Sequence, residues 1–400
     1  MSEPLRLARL QGVPVGGRRV LVREDLNVPV SRSSRPEIAD YTRIDAALPT
    51  LRYLSERGAK TIVLSHLGRP EGRRDPKYSL EPVARALSTR LGTVVAFAAD
   101  CVGEPARKAV DAMRDGDVLL LENVRFHAGE ERNDPAFAAR LAELGEIYVN
   151  DAFGTAHRAH ASTEGIAHLL PAVAGLLMEA EIAALSALVH DPKQPFVCAI
   201  GGAKIKDKVG VFTNLMRRVR TFCIGGGMAN TFLAAQGTGV GRSLRDDDLG
   251  PATRILAEAR RSGVALLLPV DAVVSSSFDD DAGARVAEIG SVGDAMILDI
   301  GPQTARAYAA AIERAETIVF NGPMGVYEKA PYRQGTQVVG DAIARATARG
   351  ATSVVGGGDA AAAAHELGFA SKMTHVSTGG GATLEFLEGK TLPGVAALMA

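Results

Sequence analysis

The stretch Ser353–Gly368, S-V-V-G-G-G-D-A-A-A-A-A-H-E-L-G, decides how the rest of the chain is read. Thr352–Val355 reads as the end of a short buried strand, and Gly356, Gly357 and Gly358 permit a tight turn with close backbone approach. Ala360–Ala364 is a strong helix former, and Asp359 sits where that helix begins. Strand, side-chain-free turn and helix N-terminus make an anion site, because unpaired N–H groups and the positive end of the helix dipole meet there. For one such triplet taken alone, a plain β-to-α turn with a capping Asp is the favoured reading. Comparable clusters at Gly201–Gly202, Gly225–Gly227 and Gly379–Gly381 point instead to a shared pocket.

Outward from this segment, the same design recurs with basic tips in the first half. R-R-V-L-V-R-E-D-L-N (18–27) runs from an apolar strand into a polar end, and Val28-Pro29 turns the chain. Ile38–Leu54 carries apolar residues at helical spacing, with Arg43 near its start, where a cation opposes the helix dipole and suits an anion better. K-T-I-V-L-S-H-L-G-R-P (60–70) places His66 and Arg69 at its tip, and D-V-L-L-L-E-N-V-R-F-H (117–127) places Arg125. E-I-Y-V-N-D-A-F-G-T-A-H-R-A-H (146–160) adds His157, Arg158 and His160. Any one of these arginines reads as a solvated surface residue. A parallel sheet, however, gathers βα tips along one edge, so together they form a basic pocket for a small multiply charged anion. The histidines are metal ligands by type, but no carboxylate or cysteine accompanies them at ligand spacing.

Leu169-Leu170-Pro171 followed by Ala172–Leu188 reads as a long helix starting beside a proline and ending at the break 191–195. It is a candidate connector between halves, or an ordinary packed helix. Beyond it, P-F-V-C-A-I-G-G-A-K-I-K-D-K (195–208) is again strand, glycine turn and helix start. Its Lys204 and Lys208 are spaced to share one helix face, as an anion-binding pair or a solvated one. T-F-C-I-G-G-G-M-A-N-T-F (221–232) and V-F-N-G-P-M-G-V-Y-E (319–328) repeat strand-then-glycine. This half reads as a second βα-layered domain with a nucleotide-like site, although neither G-x-x-x-x-G-K-[ST] nor a clean G-x-G-x-x-G occurs in it.

Bulk properties agree with two such domains. The chain has 400 residues, more than one core usually supports, and a formal charge of −1 that argues against whole-chain nucleic-acid or membrane binding. Cys101, Cys198 and Cys223 are too few and scattered for a disulfide framework or a zinc site, which suggests a reducing, cytoplasmic setting. M-S-E-P-L-R lacks the apolar core of a signal peptide, and the most apolar window, 165–188, is interrupted by His168, Pro171, Glu179 and Glu181.

These segments together resemble the phosphoglycerate kinase family over essentially the whole chain. The resemblance rests on R-E-D-L-N-V-P (23–29), S-H-L-G-R-P (65–70), L-L-E-N-V-R-F-H (120–127), N-D-A-F-G-T-A-H-R-A-H (150–160) and G-G-A-K-I-K-D-K (201–208). It extends through G-G-G-M-A-N-T-F (225–232), F-N-G-P-M-G-V-Y-E (320–328), G-G-G-D (356–359) and the run 375–395. The resemblance implies an α/β fold of two Rossmann-like three-layer domains with parallel sheets, joined by a helix and hinge. The expected 3-phosphoglycerate domain is 1–170, with 387–400 packing back on it; 171–190 is the connector and 191–386 the domain for magnesium-ATP or ADP. A monomer is the family expectation.

Carried over by position, Asp25 and Asn27 would hold the glycerate hydroxyl and carboxylate region, and Arg43, Arg69, Arg125, Arg158 and His66 the substrate's phosphate and carboxylate. Arg43 also would face the transferred group, and Lys204 would follow it through the transition state. Lys208 would contact nucleotide phosphates, Glu328 the ribose, and Asn321 and Pro323 would wall the nucleotide. Gly202, Gly226, Gly357, Gly358 and Ala360 complete the expected nucleotide set, and Asp359 would hold Mg2+.

Three positions depart from the family pattern. Ala360 stands where Thr or Ser is usual, so a phosphate loses at most one hydroxyl contact, about 0.5–1.5 kcal/mol. Ile297 stands near the expected adenine where glycine is common, and Phe320 replaces the usual Trp. The implied chemistry needs no general base, because the attacking carboxylate is already ionised; positioning and charge neutralisation are the requirements. A non-catalytic nucleotide- and anion-binding protein of the same fold, and a kinase for another small carboxylate, are the rival readings.

Overall fold

The computed structural model describes residues 5–31 and 36–399. Residues 1–4 and 400, at the ends of the expected N-terminal domain and its returning segment, lie outside the described residues. The chain separates into two compact units, the first running to Ala183 and resuming at Thr391, the second formed by Ala184–Lys390.

The first unit is built on six short strands: β1 (Arg19–Arg23), β2 (Lys60–Leu64), β3 (Val95–Ala98), β4 (Val118–Leu121), β5 (Ile147–Asn150) and β6 (Ala172–Ala174). All are parallel, in the order β3-β4-β2-β1-β5-β6. Alternation along each strand explains why these runs are apolar throughout. Val20, Val22, Val63, Leu120 and Val149 pack with the helices Thr42–Glu56 and Glu81–Leu91 on one face. Leu21, Ile62, Leu64, Leu119 and Tyr148 pack with Gly103–Asp111 and Pro135–Ala142 on the other.

One expected element differs. Ala172–Ala174 is not the start of a helix but the edge strand β6, and the helix begins at Leu176. The Pro171 carbonyl accepts from Tyr148 N at 2.9 Å, so the extended tripeptide satisfies the open edge of β5. The helix that follows has its first N–H groups met by neighbours: Leu176 N donates to Thr50 Oγ1 at 3.0 Å and Met178 N to Asp151 Oδ1 at 2.9 Å.

The end of the chain belongs to this unit from Thr391 onward, where Gly394 N donates to Ala156 O at 2.9 Å and Ala8 N to Leu398 O at 3.0 Å. Leu387 still packs in the second unit, its carbonyl accepting from Asn214 Nδ2 at 2.8 Å.

The second unit repeats the plan with β7 (Phe196–Ile200), β8 (Thr221–Ile224), β9 (Ala265–Leu267), β13 (Thr317–Asn321), β14 (Thr352–Val355) and β15 (His375–Val376). Their order is β15-β14-β13-β7-β8-β9, again all parallel. Val197, Ala199, Ile318, Phe320 and Val355 face the helices Pro302–Ile312, Gln334–Ala348 and Gly358–Glu366. Phe320 is fully buried edge-on to Phe369, the aromatic packing role expected of it. A small antiparallel sheet that sequence reading did not anticipate, β10 (Asp271–Ser275), β11 (Arg285–Glu288) and β12 (Met296–Ile300), carries its own core of Ala272, Val274, Ala287 and Val292.

Tyr148 lies wholly buried in β5, and its hydroxyl donates to the carbonyls of Ser162 and Thr163 at 2.8 and 3.3 Å. Tyr148→Phe removes the donor from the Ser162 carbonyl, while Thr163 O keeps Asn150 Nδ2 at 3.2 Å, a loss of about 1–2 kcal/mol. Urea unfolding of the variant reads that loss, and an unchanged midpoint would show that the 162–163 loop does not depend on the contact.

Candidate active site

In the first unit the polar residues cluster where the strands end, because the strands themselves are buried on both faces. Arg23, the last residue of β1, is fully buried. Its Nε donates to Ser162 Oγ at 2.8 Å, one terminal nitrogen reaches the Glu24 carbonyl and the other lies 3.2 Å from His66 Nδ1. Glu130, also fully buried, anchors the same loop by accepting from Ser162 N at 2.9 Å and Ser162 Oγ at 2.5 Å. Arginine can only donate, so His66 Nδ1 is the acceptor and Nε2 carries the ring proton. Burial first, then the charges of Arg23, Arg125, Arg43 and Arg158, holds the His66 imidazole well below its ordinary pKa. Three of the four arginines expected at this edge therefore act on one buried ring.

Arg43 NH1 donates to Asp25 Oδ1 at 2.7 Å and to Asn27 O at 3.2 Å, while Asn27 Oδ1 accepts from Gly68 N at 2.8 Å. Arg125 is buried, and its NH1 donates to Gly68 O at 2.8 Å. Arg125 Nε lies 3.4 Å from Glu131 Oε1 but makes no hydrogen bond among the described residues, which leaves donor capacity for an anion. Burial beside Arg23 pushes the guanidinium pKa down to about 10. Arg158 is half-buried against His157 at 3.2 Å. Arg69, by contrast, is exposed. His160 is buried, and burial followed by Arg125, Arg23 and Arg158 lowers it to about 3.

In the second unit the glycine turns meet one another. A Cβ on Gly201 would lie 1.9 Å from the Pro323 carbonyl oxygen, so that backbone approach admits no side chain. Gly226, at φ +66°, has its missing Cβ 2.7 Å from the Gly202 carbonyl oxygen. The turns enclose a cavity of about 570 Å3 lined by Gly202, Gly226, Pro323, Glu328 and Asp359, with an apolar wall of Leu244, Phe278, Met296 and Leu298. Sequence reading missed that wall, because it comes largely from the small antiparallel sheet and its loops. Ile297 also lines the cavity, its N–H donating to Ser243 Oγ at 2.8 Å.

Several expected residues lie away from that lining. Asn321 is buried beneath it, its amide donating to Gly356 O at 2.6 Å. Ala360 is buried in the sheet–helix core, so only its backbone N–H is offered outward. The helix Gly358–Glu366 has its first internal bond at Ala361 N to Gly357 O, 3.0 Å, which leaves the N–H groups of Gly358, Asp359 and Ala360 open. Asp359 is exposed at this terminus, and its carboxylate makes no hydrogen bond or ion pair among the described residues.

Lys204 and Lys208 do not share a helix face. A 3-10 turn, Ile205–Asp207, separates them, and the α-helix begins only at Val209. Lys204 is exposed, whereas Lys208 Nζ folds back to Gly201 O at 2.7 Å and Asn321 O at 2.6 Å. Side-chain-free turns bring these carbonyls within reach, and burial lowers the ammonium to about 8.

Burial and the surrounding arginines keep His66 and His160 neutral at pH values where an exposed imidazole protonates. Because their folded pKa values are depressed, the stability they contribute is complete above about pH 6.5 and is lost as pH falls toward the folded values. Ring-proton NMR reads this directly; a midpoint near the ordinary value for either ring would show it to be solvated.

Comparisons with known proteins identify the family. Residues 10–390 match the family model described as phosphoglycerate kinase. A phosphoglycerate kinase of Pelotomaculum thermopropionicum is 54% identical over 392 residues, covering 98% of both chains. That of Moorella thermoacetica is 52% identical, covering 97% of this chain and 98% of its own. The solved phosphoglycerate kinase of Coxiella burnetii superposes with a TM-score of 0.88 at 41% identity, covering 98% of each chain. On these similarities and on the two parallel six-stranded sheets, the chain belongs to the phosphoglycerate kinase family.

Proposed function

We propose that the basic tips of β1, β2, β4 and β5 bind 3-phosphoglycerate and that the glycine-lined cavity of the second unit binds ATP or ADP with magnesium. The protein is a phosphotransferase with a carboxyl group as acceptor, a kinase of glycolysis that moves a phosphoryl group reversibly between ATP and 3-phosphoglycerate. The observation that carries the acceptor assignment is the convergence of Arg23, Arg43, Arg125 and Arg158 on the neutral His66.

In this reading Arg125, Arg158 and Arg69 take the substrate's charged oxygens, and His66 adds its Nε2–H without adding charge. Asp25 and Asn27 hold Arg43 and the glycerate hydroxyl in register. The attacking carboxylate is ionised at neutral pH, so no residue needs to remove a proton. The barrier comes from bringing two anions together, and it is met by fixed dipoles and cations.

On the donor side, the open N–H groups of Gly358, Asp359 and Ala360 face phosphate, as Gly202 does from the neighbouring turn, while Gly226, whose N–H is held by Met324 O at 2.8 Å, lines the cavity without a side chain. Gly357 supports that turn, Pro323 walls the cavity, and Glu328 stands at its exposed rim for the ribose hydroxyls. Asn321 and Lys208 act from beneath by bracing the turns. The unpaired Asp359 carboxylate is a hard oxygen donor beside the phosphate site, which fits Mg2+ held by one carboxylate plus phosphate oxygens. When bound, the ion neutralises phosphate charge. Lys204, exposed and without a hydrogen bond or ion pair among the described residues, is the long cation able to follow the transferred group.

The three cysteines are free buried thiols, which supports a reducing cytoplasmic setting, and no helix among the described residues is long and apolar enough to cross a membrane. The same reading takes the chain as a monomer.

A coupled assay of ATP-dependent 1,3-bisphosphoglycerate formation tests the reading, and folded protein without turnover would remove it. Lys204→Ala lowers kcat by roughly 10²–10³ while the KM for 3-phosphoglycerate moves far less. A rise in KM alone would make Lys204 a binding residue.

A further inference from the structure

Asp100 and Cys101 follow the end of β3, and His127 follows the 3-10 turn Val124–Phe126 after β4, so adjacent parallel strands deliver all three to neighbouring loops. Sequence separation hid this grouping: twenty-five residues lie between Cys101 and His127, with no ligand spacing to mark them. In the folded unit one ligand atom from each of Asp100, Cys101 and His127 lies within 4.8 Å of the other two. Among the described residues this is the one group of three His, Cys, Asp or Glu side chains that does so.

From this juxtaposition we propose that Asp100, Cys101 and His127 form a binding site for a divalent metal ion of the zinc class, separate from the magnesium that accompanies the nucleotide. The donor set is one oxygen, one sulfur and one imidazole nitrogen, the mixture that borderline-soft ions such as Zn2+ and Co2+ take and that Mg2+ does not. Two of the three ligands are already oriented. The Asp100 carboxylate is tied to its own chain by Cys101 N at 2.7 Å, and the His127 ring is stacked on Phe137 with centroids 5.1 Å apart. The Cys101 sulfur is fully buried, while the side chains of Asp100 and His127 retain 30% and 27% of their exposure, which leaves an entry path.

Asp100 Oδ1 and His127 Nε2 are hydrogen-bonded at 2.7 Å without metal. Metal–ligand bonds of about 2.0–2.3 Å in a tetrahedral shell require ligand atoms about 3.3–3.8 Å apart. That oxygen–nitrogen pair therefore opens by under about 1 Å, and the sulfur, within 4.8 Å of both, closes by about 1.3 Å at most. Binding replaces the Asp–His hydrogen bond with two metal bonds: the His127 ring loses its Nε2 proton to solvent and takes one up at Nδ1, and the Cys101 thiol gives its proton to solvent as the sulfur–metal bond forms. The three side chains leave a fourth position for water.

The test uses the full-length protein, freed of metal by a chelator and without nucleotide, titrated with Co2+. The expected result is a thiolate-to-cobalt charge-transfer absorption that saturates at one equivalent, is displaced by Zn2+, and is lost in Cys101→Ser. Cys198 and Cys223 remain in that variant, so an absorption that persists would overturn the assignment, as would its absence from the unsubstituted protein. His127→Gln, at a more exposed position, guards against a misfolded thiol variant. It should weaken Co2+ binding at least ten-fold and abolish the rise in Tm that Zn2+ produces in the parent. An unchanged Co2+ affinity or Zn2+-dependent Tm in His127→Gln would sink the site.

Discussion

A strand buried on both faces has nowhere to carry polar chemistry except its ends. This constraint governs both units. The side chains of β1, β2, β4 and β5 are spent alternately on two helical layers, so Arg23, His66, Arg125 and Arg158 fall at or after strand ends. Because every strand of the sheet is parallel, those ends share one edge. The site is a consequence of packing before it is a consequence of chemistry.

Concentrating cations at that edge has an electrostatic cost that the fold meets with specific partners. Arg23 is buried outright and is matched by Ser162, the Glu24 carbonyl and the His66 ring. The histidine stays neutral, so it extends the hydrogen-bonding surface without increasing repulsion. Glu130 is buried as well, and burial raises its pKa while Arg23 and the two Ser162 donors draw it back. Removing one partner from such a network leaves an uncompensated polar group, which is why these supporting residues matter as much as those that meet the ligand.

The second unit has the opposite arrangement, presenting backbone rather than side chains at its turns. Its turns approach closely enough that glycine is required at Gly201 and Gly226, and the carbonyls so exposed hold the Lys208 ammonium. Backbone N–H groups at the start of the helix Gly358–Glu366 remain open. This explains how Ala360 can stand where a hydroxyl residue is usual: its methyl lies in the core, and the N–H is unaffected.

The amino-acid sequence by itself determined the parallel α/β class, the basic strand tips, the glycine turns and the family, because each is written in local pattern. Apolar runs, glycines and charged tips are properties of neighbouring residues. Tertiary structure alone decided that Ala172–Ala174 is an edge strand, that Lys208 folds under the turns while Lys204 stays exposed, and that Leu244 and Phe278 wall a cavity. It also brought Cys101 beside His127. Each of these depends on hydrogen bonds or packing between segments distant in the chain, and such partners have no trace in the spacing of the residues that await them.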